Sequence, residues 1–185
     1  MAARSGFFQV NRARRRSIPR SAAETSCECN EVFEAATQDI WYSWPDPSNG
    51  VHASSVREEQ NLTLRHNSLH CSYTGPFNNG EIGCSANLTG YPDFAPVKNN
   101  TVDGNLFVAS PGSAFCAYGG ATTGKPYSGD PTNGTNQKFT NNVFQRGTNR
   151  KCGSYGPVTS FDKNRTGNVW SGNVWDDGTS VASAM

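Results

Sequence analysis

From about Gln60 onward, apolar positions keep a fixed distance from an asparagine. The segments NLTLRHNSL, NNTVDGNLF, QKFTNNVF and NVWSGNVW align on Asn67, Asn105, Asn142 and Asn173. Three places before these residues stand Leu64, Val102, Phe139 and Trp170, and two places after stand Leu69, Phe107, Phe144 and Trp175. The intervals of 38, 37 and 31 residues suit a tandem array of supersecondary units joined by loops of unequal length. Because strand side chains alternate between faces, an inward residue, a bend at the asparagine and a second inward residue describe a strand, a tight turn and a second strand. Asparagine tolerates left-handed backbone angles, so the aligned asparagine itself is expected at the bend. Stacked at about 4.8 Å, the four amides would bond as a ladder beside columns of aliphatic and aromatic residues, which is a parallel β-solenoid. Four hairpins in a sandwich is the competing reading, but such folds turn about every 8 to 12 residues.

Ahead of the repeats the pattern changes. In NEVFEAATQDIWYSWPDP, Val32, Phe33, Ala36, Ile40 and Trp41 fall on one helical face, Asn30 can cap the start and Pro45 stops it. A short helix here would cover the end of the sheet stack and protect its strand edges. The expected organisation is a basic head over residues 1–29, a capping helix and linker over 30–59, and the solenoid over 60–181.

Composition narrows the class. The 185 residues include 19 Gly and 10 Pro beside 35% apolar residues, which disfavours long helices and points to an all-β, loop-rich chain. Charged residues make up 17% and the formal net charge is +1, so no global field directs the protein to nucleic acid or to an anionic membrane. No stretch reaches the roughly 20 apolar residues of a membrane-spanning helix. The head MAARSGFFQVNRARRRSIPRSAAETSCEC carries six Arg before Ser21 and no acid before Glu24. It lacks the apolar region of a secretory signal, and reads as a transit-like arm, a nucleic-acid-binding tail or a misplaced start. The sequons at Asn61, Asn87, Asn99, Asn133 and Asn164 carry little weight in so Asn- and Thr-rich a chain. Six cysteines without CxxC or zinc-ligand spacing suggest disulfides and oxidising surroundings. Cys116 and Cys152 follow their aligned asparagines by 11 and 10 residues, so they are expected to bridge rungs, with Cys71–Cys84 closing the first long loop.

The alignment also yields outward columns. Arg65, Asp103, Thr140 and Ser171 precede the asparagines by two places, and Thr63, Thr101, Lys138 and Val169 by four. Asp103 would then sit about one rung from both Arg65 and Lys138, as a calcium or acid/base site or as a salt-bridged surface ladder. His66 and His70 flank the first asparagine and could serve as bases. Arg146, Arg150 and Lys151 could form a cationic mouth for a uronate. Asp176 and Asp177 read as a terminal turn. Tyr91, Tyr118, Tyr127 and Tyr155 sit in loops and could stack on sugar rings, although some must pack beneath those loops.

The run FTNNVFQRGTNRKCGSYGPVTSFDKNRTGNVWSGNVWDDGT, with CSANLTGYPDFAPV and FCAYGGATTGKPYS upstream, resembles the C-terminal half of secreted right-handed parallel β-helix proteins of the pectate-lyase-like superfamily, over residues 60–181. That resemblance implies a monomeric, secreted β-helix of few rungs with long loops, whose elongated face binds or cleaves polysaccharide or cell-wall glycan. It further implies Arg or Lys bases with calcium held by acidic residues in the lyases, and clustered Asp in the hydrolases. The paired-Asp and Gly-His-Gly patterns of polygalacturonase-like hydrolases are absent, residues 1 to about 56 do not match, and the N-terminal rungs such proteins usually carry are expected to be missing. Two expectations follow. One is a polysaccharide lyase or glycoside hydrolase with catalytic Asp103, Arg65 and Lys138, and with Arg146, Lys151, Tyr118, Tyr155 and His66 holding substrate. The other is a non-catalytic glycan-binding or structural β-helix.

Overall fold

The computed structural model describes residues 32–34, 37–39, 42–46, 50–71 and 83–183. Each aligned segment forms two short strands separated by a two-residue bend. They are β5 (Thr63–Arg65) and β6 (Ser68–His70), β8 (Thr101–Asp103) and β9 (Leu106–Phe107), β11 (Lys138–Thr140) and β12 (Val143–Phe144), and β14 (Val169–Ser171) and β15 (Val174–Trp175). A third strand completes a coil: β7 (Ala86–Thr89), β10 (Phe115–Tyr118) and β13 (Gly156–Thr159).

Successive coils stack in parallel register. The first sheet runs β1-β5-β8-β11-β14, the second β2-β6-β9-β12-β15 and the third β3-β4-β7-β10-β13. Here β1 is Val32–Glu34, β2 Thr37–Asp39, β3 Tyr42–Asp46 and β4 Gly50–Arg57. The fold is therefore a parallel β-helix, all-β among the described residues.

The expected capping helix is replaced by strands. Phe33 pairs in register with Leu64 and Gln38 with Leu69, so these residues add a further rung ahead of the expected boundary at residue 60. Neighbouring strand edges offer a ready set of hydrogen-bond partners, whereas a short helix alone is marginal. Pro45, read as a helix stop, lies in β3, the edge strand that pairs antiparallel with β4. Proline is tolerated there because an edge strand need not donate on its outer side. Asn30, Ala36, Ile40 and Trp41 lie outside the described residues, as do the basic head and its Cys27 and Cys29.

The ladder forms as expected. The Nδ2 groups of Asn67, Asn105 and Asn142 donate to Oδ1 of Asn105, Asn142 and Asn173 at 3.2, 3.0 and 2.9 Å. Each of those oxygens also accepts from the backbone N–H of the preceding ladder residue, at 3.0, 2.9 and 3.1 Å. All four asparagines are buried.

The left-handed residue is one place earlier than expected. His66, Gly104, Asn141 and Gly172 have φ of 55°, 65°, 56° and 65°. Nature's alternation of side chain and glycine has a steric cause: a Cβ on Gly104 would stand 2.8 Å from the His66 ring, and one on Gly172 would stand 2.5 Å from Asn141 Oδ1.

Leu64, Val102 and Phe139 make one fully buried column, and Leu69, Phe107 and Phe144 another. Phe107 and Phe144 stack at 4.6 Å, and Phe139 stacks on the half-buried Trp170 at 5.7 Å. The third sheet contributes Val56, Leu88, Ala117 and Val158 in register. A second polar column lines the opposite corner, where Leu62 N–H donates to Asn100 Oδ1 at 2.8 Å and Gln137 N–H to Asn168 Oδ1 at 2.8 Å.

Both expected disulfides form, Cys71–Cys84 and Cys116–Cys152. The second crosses rungs from β10 to the loop before β13, not strand to strand, since Phe115 pairs with Gly156. Beyond β15 the chain folds back: Val174 bridges Ser180 antiparallel and Val181 N–H donates to Asn173 O at 3.0 Å. Asp176 and Asp177 thus belong to a closing turn. Among the described residues no helix is long and apolar enough to cross a membrane.

Candidate functional site

Register decides which outward residues meet on the first sheet. Arg65, Asp103 and Thr140 are consecutive partners, whereas Lys138 pairs with Thr101. Arg65 Nε lies 3.8 Å from Asp103 Oδ2. Thr140 Oγ1 donates to Asp103 Oδ1 at 2.6 Å and Asn141 Nδ2 donates to the same oxygen at 3.0 Å. The Thr140 bond, followed by the Asn141 amide and the Arg65 and His66 charges, outweighs partial burial and lowers the Asp103 pKa. Asp103 is accordingly a carboxylate at neutral pH and a poor proton donor. Lys138 is exposed and forms no salt bridge with Asp103, so a carboxylate flanked by two cations is not assembled. His66 is exposed beside Asp103, with its backbone N–H donating to Asp103 backbone O at 3.3 Å, and His70 is half-buried in β6.

Arg146 is committed to the closing turn. Its guanidinium lies 2.9 Å from Asp177 Oδ2 and 3.9 Å from Asp176 Oδ1, donates to Thr179 Oγ1 at 2.7 Å and covers the Trp175 ring at 4.6 Å. It therefore carries no unneutralised charge to a substrate. Arg150 and Lys151 are exposed on the loop between β12 and β13, and the cationic mouth reduces to these two.

Three tyrosines gather at the third sheet, Tyr155 exposed, Tyr118 half-buried and Tyr91 buried. Tyr155, on the loop before β13, lies 5.9 Å from Phe115 of β10, Phe115 lies 5.6 Å from Tyr118, and Tyr118 lies 4.8 Å from Tyr91 beyond β7. Since β7, β10 and β13 are successive rungs, this aromatic row runs along the stack. At its far end Tyr127 N–H donates to Pro92 O at 2.9 Å, joining the loop that carries Tyr127 to the loop that carries Phe94. Tyr155, Phe94 and Tyr127 are 75%, 50% and 42% exposed, enough to offer ring faces to a ligand.

A charged network holds those loops to the sheet. Arg57 pairs with Glu59 at 2.8 Å and with Asp93 at 3.2 Å, donates to Tyr91 O at 3.0 Å and covers the Phe94 ring at 4.5 Å. Lys125 Nζ lies 3.7 Å from Asp93 and 4.9 Å from the Tyr91 ring centre. The Arg57, Asp93 and Lys125 side chains are buried, so removal of one would strand the others. Burial raises the Glu59 pKa against the opposing Arg57 charge.

Sequence reading found Tyr118, Tyr155, Tyr91 and Tyr127 but not Arg57, Asp93, Phe94 or Lys125. The last four belong to no repeat column; a basic residue at the end of a strand and an acid in YPDF were the available signals. Among the described residues no group of three His, Cys, Asp or Glu side chains could hold a metal ion. No family model, curated protein or solved structure matches the chain.

Proposed function

We propose that the protein is an extracellular β-helix that binds polysaccharide along the outer face of its third sheet and does not cleave it. The observation that carries this reading is the row from the exposed Tyr155 through the half-buried Phe115 and Tyr118, anchored on the buried Tyr91, with Phe94 and Tyr127 exposed at its end. Aromatic faces take the C–H side of sugar rings, while tyrosine hydroxyls and neighbouring polar groups can meet the sugar hydroxyls. The absence of a Lys138–Asp103 salt bridge and the neutralisation of Arg146 weigh against a catalytic centre at those residues, and the ionised Asp103 is unsuited to protonate a leaving group. Two disulfides are consistent with an extracellular protein. On this reading the chain shares the scaffold of secreted pectate-lyase-like proteins and uses a face in place of a cleft.

The test is a polysaccharide panel, neutral and acidic, scored in parallel by affinity electrophoresis, by absorbance of unsaturated uronates with and without calcium, and by reducing-sugar release. Retardation by at least one polymer without product formation is expected. Tyr155→Ala should then weaken binding by about two- to ten-fold, the value of one aromatic contact. Product formation would move the function to enzymatic cleavage, and failure to bind any polymer would overturn the proposal.

A further inference from the structure

The sheet that carries the aromatic row contains a buried carboxyl group with no partner. Glu58 follows β4, and its backbone N–H donates to Thr89 O at 2.8 Å. Its neighbours Arg57 and Glu59 join the ion network, but the Glu58 side chain is fully buried and neither carboxyl oxygen has a hydrogen bond. A group in this position ordinarily costs stability.

Gly90 stands against the carboxyl, Gly120 against Gly90, and Val97 against Gly120. A Cβ on Gly90 would stand 2.8 Å from Glu58 Oε1 and 2.9 Å from Gly120 N, while a Cβ on Gly120 would stand 2.6 Å from Val97 Cγ1. Gly120 also has φ of 86°, which a side chain would strain. The corner is thus closed by backbone passing close to the carboxyl. Gly90 leads into the loop that carries Phe94, and Gly120 leads into the loop that carries Tyr127. These two loops are joined by Gly134 N–H to Val97 O at 2.6 Å and by Val97 N–H to Asn133 Oδ1 at 2.9 Å.

We propose that Glu58 is a protonation latch: as an uncharged acid it lies in the glycine-lined corner and both loops stay docked, and as a carboxylate it forces the corner open and loosens them. The charged groups nearby are Arg57, Glu59, Asp93 and Lys125, engaged with one another, and Lys98, whose ammonium donates to Thr132 Oγ1 at 3.3 Å. None of them stabilises a Glu58 anion, and burial alone pushes its pKa well above the ordinary carboxyl value. The folded state consequently holds this proton more tightly than the unfolded state. Stability from the neutral acid is complete below the ordinary carboxyl range and is lost as pH rises through the raised value. The latch closes in acid and opens toward alkali.

The test uses the full chain as wild type, Glu58→Gln and Glu58→Met. Thermal unfolding is followed upward from about pH 5, with amide hydrogen exchange compared between variants at each pH over residues 91–98 and 119–135. The wild type should lose Tm with rising pH more steeply than either variant, and its two loops should exchange faster than theirs at the alkaline end. Parallel Tm curves, or equal exchange in these loops, would overturn the proposal. Should the substitutions prevent folding, the side-chain carboxyl carbon of Glu58 in the wild type decides by NMR. A titration midpoint of that carbon above the ordinary carboxyl range supports the latch, and a midpoint within that range removes it. These readouts concern the protein alone, so they stand or fall independently of glycan binding.

Discussion

Asn142→Ala should be among the most damaging single substitutions in this chain. The Asn142 amide donates to Val102 O at 2.9 Å and to Asn173 Oδ1 at 2.9 Å, and its oxygen accepts from Asn105 N at 2.9 Å and from Asn105 Nδ2 at 3.0 Å. Truncation deletes all four and leaves the buried Asn105 N–H without its acceptor. An orphaned buried donor costs about 1 to 3 kcal/mol, and the remaining net hydrogen bonds add about 0.5 to 1.5 kcal/mol each, less some relaxation. A total of about 3 to 5 kcal/mol follows, at the upper end for point substitutions. Asn141→Ala is the internal control. It is not silent, because φ of 56° makes alanine cost about 1 to 2 kcal/mol, and it removes one exposed bond to Asp103. Asn141→Gly should restore most of that loss. In urea, with a slope of about 2 kcal/mol/M, Asn142→Ala should lower the midpoint by about 2 M and Asn141→Ala by less than half as much. Equal midpoints for the two alanine variants would refute the ladder as a main source of stability.

Two further outcomes follow from the same geometry. Replacing Cys116 and Cys152 together by Ala should cost about 2 to 4 kcal/mol in urea unfolding, since this bond closes a separation of 36 residues between coils; an unchanged midpoint would contradict it. Arg146→Ala removes the contacts to Asp176, Asp177, Thr179 and Trp175. It should speed hydrogen exchange over residues 174–181 at least several-fold while leaving the ladder protected, and uniform exchange changes would show that the turn does not act locally.

The solenoid is legible because each rung repeats one physical demand, an inward apolar residue on either side of a buried amide. The first rung escapes that signature: three places after Phe33 stands Ala36 instead of Asn, and two further stands Gln38 instead of an apolar residue. Its strands are fixed by pairing with β5 and β6, a tertiary effect that overrides local helical periodicity. The position of the left-handed residue had a usable signal, for Gly104 and Gly172 both stand immediately before a ladder asparagine. Tyr155 is legible as a loop aromatic, whereas Tyr118, expected in a loop, lies in β10 because it pairs in register with Thr159, and the partners that organise the face are not legible. Arg57 meets Asp93 across 36 residues through loops without a repeat. The Arg65–Asp103 approach follows from register alone, whereas Lys138 fails to join because it lies in the column two positions away. Glu58 offers no pattern at all, since its environment is made by glycine backbone from two later coils.

The central claim is that ligand contact lies on the aromatic face of the third sheet. It is tested most directly by NMR chemical-shift mapping with an oligosaccharide cut from whichever polymer the panel retains. Perturbations are expected along Tyr155, Phe115, Tyr118, Phe94 and Tyr127, with Arg65, Asp103 and Lys138 unmoved. Shifts centred on Arg65, Asp103 and Lys138, with the aromatic row unmoved, would contradict the account.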